Sequence, residues 1–250
     1  MIAVSLDELA ENRGLLLSLS FPSKNIQYAS MILKELMDIG VTELFYISRK
    51  DSLTPLVLGK GYRGLVLKAR IGERVIALKI LRTDASINGL IKEAIALSKA
   101  NSVGVGPKLI GYSEHVLAME FIEGTSMDRW LKDLPMEDFL KLKSVLRKCF
   151  EDARKLDEIG LDHGEISDAK KHIIVRPDLK PVIIDFGKAS FSRKPANVTS
   201  LFSYISFGPH SRKILEMLRI ASPPLEKARR YKRDPSRESF EELLKALKLI

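Results

Sequence analysis

The sequence predicts a two-lobed α+β fold, with a small β-rich N-terminal lobe followed by a short helical C-terminal lobe. Residues 56–81 read as three strand-like stretches separated by glycine turns, which is typical of consecutive β-strands. After residue 124 the composition becomes helical, most clearly over 136–160, where apolar residues recur at helical spacing. A chain of 250 residues is long enough for two such lobes. We therefore assign residues 1–124 to the N-terminal lobe and residues 125–250 to the C-terminal lobe.

The N-terminal lobe is predicted to contain an extension, residues 1–50, and a strand-rich part, residues 56–124. In the extension, apolar residues at helical spacing predict a helix that Ser23 or Asn25 caps and Gly40 ends. The extension is too short for a full winged helix, so we expect this helix to buttress the β-rich lobe. The segments that follow the helix are predicted as a strand over 41–48 and a turn over 49–55.

Composition restricts the environment of the protein. Hydrophobic residues make up 45% of the chain and charged residues 29%. The single cysteine, Cys149, cannot form an internal disulfide, and it is predicted to be a core thiol in a protein of the reducing cytoplasm. No apolar stretch approaches the roughly 20 residues that a membrane-spanning helix needs, so no membrane partner is expected.

The net charge of +9 is concentrated late in the chain, where residues 186–234 hold 11 basic and 3 acidic residues. Such a cluster can attract RNA, a ribonucleoprotein or an acidic protein surface. A solvated helix face is an equally good interpretation, because Tyr231 alone does not provide the aromatic residues on which bases stack. RNA is therefore one partner that the sequence suggests, and a protein of unknown identity is the other.

Three glycines, Gly59, Gly61 and Gly64, stand in the stretch GKGYRGLV between two predicted strands. In a dinucleotide-binding motif a helix must begin within the glycines, whereas here strand-like sequence continues on both sides. Continuous β-structure fits a hairpin over phosphates, because glycine has no Cβ to prevent the close approach of backbone N–H groups. An ordinary glycine-rich hairpin would explain these three residues, but it would not explain Lys79.

Lys79 adds a cation to the predicted phosphate motif. It lies between Leu78 and Ile80 in a predicted strand, so we expect its ammonium to be partly buried. A buried ammonium needs an anion, since its charge would otherwise be costly to remove from water. Glu93, on the helix predicted over 88–100, is the natural partner. The alternative, a surface lysine on an edge strand, fits the apolar neighbours less well.

Asp185 adds a carboxylate at the end of the apolar run 182–184. A strand that finishes in Asp-Phe-Gly can present its carboxylate to the Mg²⁺ that bridges the phosphates of ATP. Gly187 is expected to allow the sharp turn that follows. The triplet alone is common, but here it stands about twenty residues after the stretch HGEIS, which makes the combination more specific.

In this order and at these intervals, the motifs over residues 56–190 resemble those of atypical protein kinases. The resemblance is to small archaeal kinases related to RIO-type kinases and to the kinase of the KEOPS tRNA-modification complex. It implies a protein-kinase-like fold, ATP with Mg²⁺ or Mn²⁺, and serine/threonine protein kinase or ATPase activity. It also implies that HVLAMEFIEG is an adenine-binding hinge, with Met119 as gatekeeper and the edge-strand backbones of Glu120 and Ile122 at adenine. The implied nucleotide-binding residues are Gly59, Lys60, Gly61, Tyr62, Gly64, Val66, Ala77, Lys79, Glu93, Met119, Glu120, Phe121, Ile122 and Asp185.

The catalytic loop departs from the pattern of these kinases. They carry His-Arg-Asp or His-Gly-Asp, whereas this chain has His163-Gly164-Glu165. We assign Glu165 as the catalytic carboxylate, together with Lys79 and Asp185. Glutamate has one methylene more than the usual aspartate, which displaces the carboxylate oxygens of Glu165 by roughly 1 Å. A misplacement of that size can cost about 10²-fold in rate. His163 is expected to be structural, packed under the loop, with a general-base role as the minor alternative.

A second departure concerns the asparagine that binds metal in these kinases. Counting forward from Glu165 places Lys170 at this position, whereas counting back from Asp185 places His172 there, and we favour His172. The predicted metal ligands are therefore Asp185 and His172. Mg²⁺ prefers oxygen and imidazole suits softer ions, so either Asp185 alone holds one metal or the metal is not strictly Mg²⁺. Lys170 or Lys171 could also replace a second ion as a counter-charge for phosphate.

Three functions are compatible with these residues. The first is ATP-dependent phosphotransfer or ATP hydrolysis. The second is an ATP-binding pseudokinase that acts as a switch or scaffold on a ribonucleoprotein or protein partner, which the changes at Glu165 and His172 favour. The third, a small-molecule phosphotransferase, is disfavoured because the basic residues 186–234 do not suit a cationic substrate. Residues 188–199 are too few for a long regulated activation loop and are expected to fold back over the cleft.

Overall fold

The computed structural model describes residues 1–49, 52–86 and 89–250. These residues form two compact units, of which the first comprises Met1–Ser98 with Pro107–Phe121 and the second Lys99–Gly106 with Ile122–Ile250. The second unit thus includes residues 99–106 and 122–124, which the sequence placed in the N-terminal lobe. The predicted lobe boundary after residue 124 remains an interpretation.

The first unit is built on one antiparallel sheet. In the described residues its order is β1-β2-β5-β6-β8-β7, with β3 paired to β2 and β4 paired to β5. The strands are β1 Ile2–Ser5, β2 Glu43–Arg49, β3 Ser52–Pro55, β4 Val57–Lys60, β5 Gly64–Ile71, β6 Arg74–Leu81, β7 Leu109–Tyr112 and β8 Val116–Glu120. The predicted strand–glycine turn–strand pattern therefore forms β4, β5 and β6. Because β6 pairs with β5 and with β8, it lies inside the sheet.

Helices of the first unit pack on this sheet. They are α1 Leu6–Glu11, α2 Arg13–Leu16, α3 Ile26–Ile39 and α4 Ile91–Asn101, with a 3-10 turn at Leu17–Ser20. The last three residues of α4 belong to the second unit. The predicted extension helix is α3, where the Asn25 side chain accepts from the backbone N–H of Tyr28 at 3.0 Å and Gly40 takes a left-handed φ of 86°. Its buried residues join those of one sheet face in a single apolar core, which confirms that the helix buttresses the lobe.

Two expectations for the first unit need correction. The turn predicted over 49–55 is largely strand β3, in which Thr54 faces Ile47 of β2, while residues 50 and 51 lie outside the described residues. Short strands of this kind depend on a partner strand and have no periodicity of their own. The helix predicted over 88–100 is α4, which begins at Ile91, and residue 88 lies outside the described residues.

The second unit is mainly helical, as predicted. Its helices are α5 Met127–Asp133, α6 Phe139–Glu158, α7 Ala169–His172, α8 Asn197–Phe207, α9 Ser211–Met217, α10 Leu225–Arg233 and α11 Arg237–Ala246, with a 3-10 turn at Ile166–Asp168. A small sheet has the order β11-β10-β9, formed by β9 Thr125–Ser126, β10 Ile173–Val175 and β11 Pro181–Ile183. The α+β class, with a β-rich first part and a helical second part, is confirmed.

Helix α6 carries much of the core of the second unit. Its apolar face buries Leu142, Leu146, Cys149 and Phe150. Cys149 is fully buried, and burial raises the pKa of its thiol above the usual range, as expected of a core thiol. Within the described part of the chain, no helix is both long and apolar enough to cross a lipid bilayer.

Candidate functional site

An ion pair between Lys79 and Glu93 lies within the first unit. The Lys79 ammonium donates to both carboxylate oxygens of Glu93, at 2.7 and 2.8 Å, and the two residues are only 5% and 6% exposed. Lys79 stands opposite Val66 on one side and Leu117 on the other, so it does not lie at an edge of the sheet. The partly buried lysine and its glutamate partner are as the sequence predicts. A pair this deeply buried is costly to break, because removing one charge takes its ion-pair partner away from the other.

Strand register places several predicted nucleotide-binding residues on one face of this sheet. Residues directly opposite each other in paired strands share a face. Val66 is opposite Lys79, and Ala77 is opposite Met119. Because Ala77 and Lys79 are two positions apart in β6, all four share that face. The other face carries the apolar core that packs against α3. Alternation along the strands therefore separates the face that packs on α3 from a second face, part of which packs against α4.

The glycine hairpin joins β4 to β5. The backbone N–H of Gly61 donates to the carbonyl of Gly64 at 2.9 Å, and Tyr62 at the tip is 77% exposed. A Cβ at Gly64 would lie 2.9 Å from Cγ of Lys79, whereas one at Gly59 would meet nothing closer than 3.9 Å. Gly64 is therefore required by packing against Lys79. The phosphate-binding role expected of Gly59 and Gly61 remains a prediction.

Arg82 holds this hairpin, and the sequence did not single it out. Its guanidinium donates to the carbonyl of Gly61 at 3.4 Å and to both carboxylate oxygens of Asp84, at 2.8 and 2.6 Å. The hydrogen bond to Asp84 raises the pKa of Arg82. Lys60 and Arg82 both lie over the ring of Phe21, at 4.5 and 5.1 Å from its centroid. Phe21 thereby links the N-terminal extension to the hairpin.

The segment expected to bind adenine, residues 119–122, begins in β8 and extends past its end. This strand is paired with β6 and with β7, so the expectation of an edge strand was wrong. The N–H of Glu120 donates to the carbonyl of Lys108 at 2.8 Å, which commits that donor to the sheet. The ammonium of Lys68 lies 4.8 Å from the ring centroid of Phe121. Ile122 is buried and belongs to the second unit. Adenine binding by residues 119–122 stays a prediction.

Glu165, His172 and Asp185 come together in the second unit. One potential ligand atom from each lies within 4.8 Å of the others, and we refer to these three residues as the acid–histidine cluster. His172 ends α7 directly before β10, and its carbonyl accepts from the N–H of Ile184 at 2.9 Å. Asp185 follows β11 with a φ of 64°. The left-handed residue of this turn is therefore Asp185 and not Gly187, whose N–H donates to Oδ1 of Asp185 at 3.3 Å.

The donor set of this cluster suits a divalent cation. Nδ1 of His172 is buried and has no hydrogen-bond partner among the residues that the structure describes. Lys170 and Lys171 instead pair with Asp168, at 3.5 and 3.6 Å. The residue beside Asp185 is thus His172, at the position obtained by counting back along the chain. Two carboxylates and an imidazole can bind Mn²⁺ or a softer ion, while Mg²⁺ prefers oxygen alone.

His163 lies under this cluster and is fully buried. Its ring packs edge-on against Phe186, with 4.9 Å between centroids. Nδ1 accepts from the N–H of Glu165 at 3.3 Å, so Nε2 carries the proton and donates to the carbonyl of Ile184 at 3.1 Å. Burial lowers the pKa of His163 to about 4, which keeps the ring neutral at pH 7. These contacts are those of a structural histidine, as expected, and leave neither nitrogen for general-base catalysis.

A buried hydrogen-bond network that the sequence did not reveal supports the catalytic loop. Oδ1 of Asn197 accepts from the N–H of His163 at 2.9 Å, while its amide nitrogen donates to Asp157 and to the carbonyl of Leu161, both at 2.8 Å. Asp157 also accepts from the hydroxyl of Tyr231 at 3.0 Å. Buried asparagines of this kind have no periodic or motif signature. Their role is evident only once the chain is folded.

The segment after the Asp-Phe-Gly triplet folds back on the catalytic loop. Arg193 pairs with Asp162 at 2.7 Å and donates to the carbonyl of Lys188 at 2.6 Å. Gly164 has a φ of 84°, and a Cβ there would lie 2.5 Å from Arg193 and 2.7 Å from the carbonyl of Lys188. The ammonium of Lys188 lies 2.8 Å from Oε1 of Glu165. The segment therefore folds onto the catalytic loop of its own unit, and the predicted folding over the cleft remains a prediction.

The basic region predicted to contact RNA includes α10, and its charges are partly neutralised. Lys227 and Arg230 pair with Glu242, and Arg230 also pairs with Glu238 at 2.9 Å. Arg229 pairs with Glu226 within the same helix. Three cations of this helix therefore have acidic partners. The interpretation as an RNA-binding surface remains a prediction.

Comparison with known proteins supports the relationship that the motifs suggest. The family model described as RIO domain matches residues 76–203, about half of the chain. The match begins within β6 and ends within α8, so it includes Lys79, Glu93 and the acid–histidine cluster but not the glycine hairpin. KEOPS complex subunit Bud32 of Pyrococcus abyssi (strain GE5 / Orsay) is 34% identical over 134 residues, which are 51% of this chain and 56% of that protein. The similarity therefore spans little more than half of that curated relative.

Proposed function

This chain belongs to the RIO domain family, and from that premise we propose that it is an ATP-dependent phosphotransferase. It would act as an atypical serine/threonine protein kinase or as a RIO-like ATPase. The observation that carries the proposal is the acid–histidine cluster, in which three residues from separate parts of the sequence converge with ligand atoms within 4.8 Å. A group of neighbouring acids alone would be weak evidence for a catalytic site. The residues of the acid–histidine cluster, however, are those that the order of the motifs predicts for catalysis and metal binding.

In the first unit, we propose that Lys79 holds the α- and β-phosphates, with Glu93 fixing its ammonium. The hairpin from Gly59 to Gly64 would lie over the phosphates. Support comes from the strand register, which sets Val66, Ala77, Lys79 and Met119 on the face opposite the core that packs against α3. The apolar members of this set suit an adenine ring, and the lysine suits an anion.

In the second unit, Asp185 and His172 would hold the divalent cation and Glu165 would accept the proton of the substrate hydroxyl. When bound, such a cation neutralises the charge that develops on the transferred phosphoryl group. Glu165 is 22% exposed at its side chain, so a hydroxyl can reach it. Nδ1 of the neutral His163 ring accepts a hydrogen bond from the backbone N–H of Glu165 at 3.3 Å, which holds the loop backbone in place. We therefore propose a ligand role for Asp185 and a proton-accepting role for Glu165.

The test is transfer or release of the γ-phosphate from ATP by purified protein with Mg²⁺ or Mn²⁺. Glu165→Gln and Asp185→Asn are each expected to abolish turnover. Asp178→Asn is the matched control, because this exposed carboxylate lies between β10 and β11 and pairs with Lys180, outside the acid–histidine cluster. Turnover that persists in Asp185→Asn would contradict the proposal.

An ATP-binding pseudokinase is the second candidate, and a specific contact favours it. Glu165 carries one more methylene than the usual aspartate, and Lys188 neutralises it at 2.8 Å. Binding of ATP with no turnover under any metal would support this function. The relative from Pyrococcus abyssi is named as a complex subunit, so we also propose a protein partner for this chain.

RNA binding through residues 186–234 is the alternative partner proposal. Electrostatic RNA binding falls steeply as salt rises, because phosphate contacts release counterions. Arg233→Glu should then weaken binding in filter or anisotropy assays, whereas Arg147→Glu on α6 should not. Binding that is absent or independent of salt would remove RNA from the partners.

A further inference from the structure

Lys188 follows the Asp-Phe-Gly triplet directly and contacts the acid–histidine cluster. Its ammonium lies 2.8 Å from Oε1 of Glu165, and its side chain is 60% exposed. An exposed lysine stem has four rotatable carbons, so the ammonium can reach another anion near Glu165 with little cost in packing. The exposed position also means that the present ion pair is weak and exchangeable.

The backbone of Lys188, in contrast, is held in place. Arg193 bonds the carbonyl of Lys188 at 2.6 Å and pairs with Asp162, which directly precedes the catalytic loop. Gly164 permits this approach, since a Cβ there would lie 2.7 Å from the same carbonyl. The backbone of Lys188 is therefore fixed against the loop that carries Glu165, while its ammonium can still move.

A cation beside Glu165 would offset the negative charge that gathers at the acid–histidine cluster when a triphosphate binds. Glu165 and Asp185 place two carboxylates close together, and a triphosphate brings further negative charge to the same point. A metal held by Asp185 and His172 offsets part of this charge, but Glu165 would still repel an incoming phosphate oxygen. Lys170 and Lys171 pair with Asp168. Lys188, in contrast, forms an ion pair with Glu165, a member of the cluster.

We propose that Lys188 is a catalytic residue that moves its ammonium from Glu165 to the γ-phosphate of bound ATP. This inference rests on the proposed phosphotransferase function. The same movement would free Glu165 to accept the proton of the attacking hydroxyl. In that step the bond from the hydroxyl oxygen to the γ-phosphorus forms, and the bond from the γ-phosphorus to the β–γ bridging oxygen breaks. ADP leaves with the electron pair, and Lys188 keeps its proton throughout.

The test compares the binding of a non-hydrolysable ATP analogue, AMP-PNP, with that of ADP by calorimetry in the presence of Mn²⁺. Lys188→Met is expected to weaken AMP-PNP binding about tenfold and to leave ADP binding unchanged, because only the γ-phosphate loses its contact. Lys188→Arg should retain affinity for AMP-PNP within about threefold, since the charge is kept. Lys180→Met is the control, because Lys180 is an exposed lysine that pairs with Asp178.

The outcomes separate this inference from the function on which it rests. If the wild-type protein binds neither nucleotide, the phosphotransferase proposal fails and the role of Lys188 fails with it. If the wild type binds both nucleotides but Lys188→Met binds AMP-PNP equally well, the role of Lys188 alone is overturned. An equal loss of AMP-PNP and ADP binding would also overturn it. Lys188→Gln provides a second uncharged variant if the methionine variant melts at a lower temperature.

Discussion

Gly64 and Lys79 lie so close across strands β5 and β6 that a Cβ at position 64 would be 2.9 Å from Cγ and 3.0 Å from Cε of the lysine. The glycine hairpin and the buried ion pair with Glu93 are thus one packed unit. The missing side chain at position 64 leaves the lysine stem its path to Glu93. The requirement for glycine here arises from the protein interior, whatever ligand the hairpin binds.

The substitution Gly64→Ala is expected to destabilise the protein by about 1–3 kcal/mol, because the added methyl group overpacks a buried site. Urea denaturation followed by circular dichroism measures the change. Gly59→Ala is the matched control, since its methyl group would meet nothing closer than 3.9 Å. Equal stability of the two variants would show that the hairpin relaxes away from Lys79.

The ion pair of Lys79 with Glu93 should show strong coupling in a double-mutant cycle. Lys79→Met and Glu93→Leu are each expected to cost about 3–5 kcal/mol, because each removes the ion-pair partner of a buried charge. The double variant is expected to cost less than the sum, since the same interaction is lost in both single variants. The free energy of unfolding of all four proteins gives the coupling. Additive costs would contradict the picture of a buried pair.

His172 should determine which divalent metal the protein prefers. We expect the wild type to bind Mn²⁺ more tightly than Mg²⁺ in the presence of AMP-PNP, and His172→Asn to reduce the preference about tenfold. Electron paramagnetic resonance of free Mn²⁺, with Mg²⁺ as competitor, measures both affinities. His210→Asn makes the same chemical change beside Asp128, outside the cluster, and should alter neither affinity. An unchanged ratio in His172→Asn would exclude the imidazole as a ligand.

Cys149 should be unreactive in the folded protein. Its thiol is fully buried, and burial raises its pKa, so the reactive thiolate is suppressed between pH 7 and pH 9. Folded protein should therefore give little colour with a disulfide reagent across this range. Protein unfolded in guanidinium should react fully, and faster as the pH rises toward the ordinary thiol pKa. Rapid stoichiometric labelling without denaturant would show that α6 opens.

Sequence patterns predicted the parts of the first unit that depend on local periodicity or on uncompensated charge. The helix ending at Gly40, the strands around the glycines and the pairing of Lys79 with Glu93 are of this kind. Strand β3 and the hydrogen bond from Arg82 to Gly61 were not predicted, because both depend on neighbours that only the folded chain brings close. The position of β8 was also not predicted. It was expected to be an edge strand, but it pairs with both β6 and β7.

The candidate site was predicted through spacing, and its supports were not. Counting residues back from Asp185 identified His172, and the structure sets the two side by side. The left-handed backbone of Asp185 went unpredicted, because aspartate rarely adopts it and the neighbouring Gly187 offered an easier explanation. Asn197 was invisible for a different reason. Its three hydrogen bonds link segments that are distant in sequence.

The hydroxyl of Tyr231 on Asp157 has a practical consequence for anyone who trims this polypeptide. The recognisable family segment stops at residue 203, yet the hydrogen-bond chain beneath the catalytic loop closes only at Tyr231. A recombinant fragment cut at the end of the match would expose that aspartate and strip the buried tyrosine from it. Such a fragment should therefore end after α10 at the earliest, so that the hydrogen bond from Tyr231 to Asp157 beneath the catalytic loop is retained.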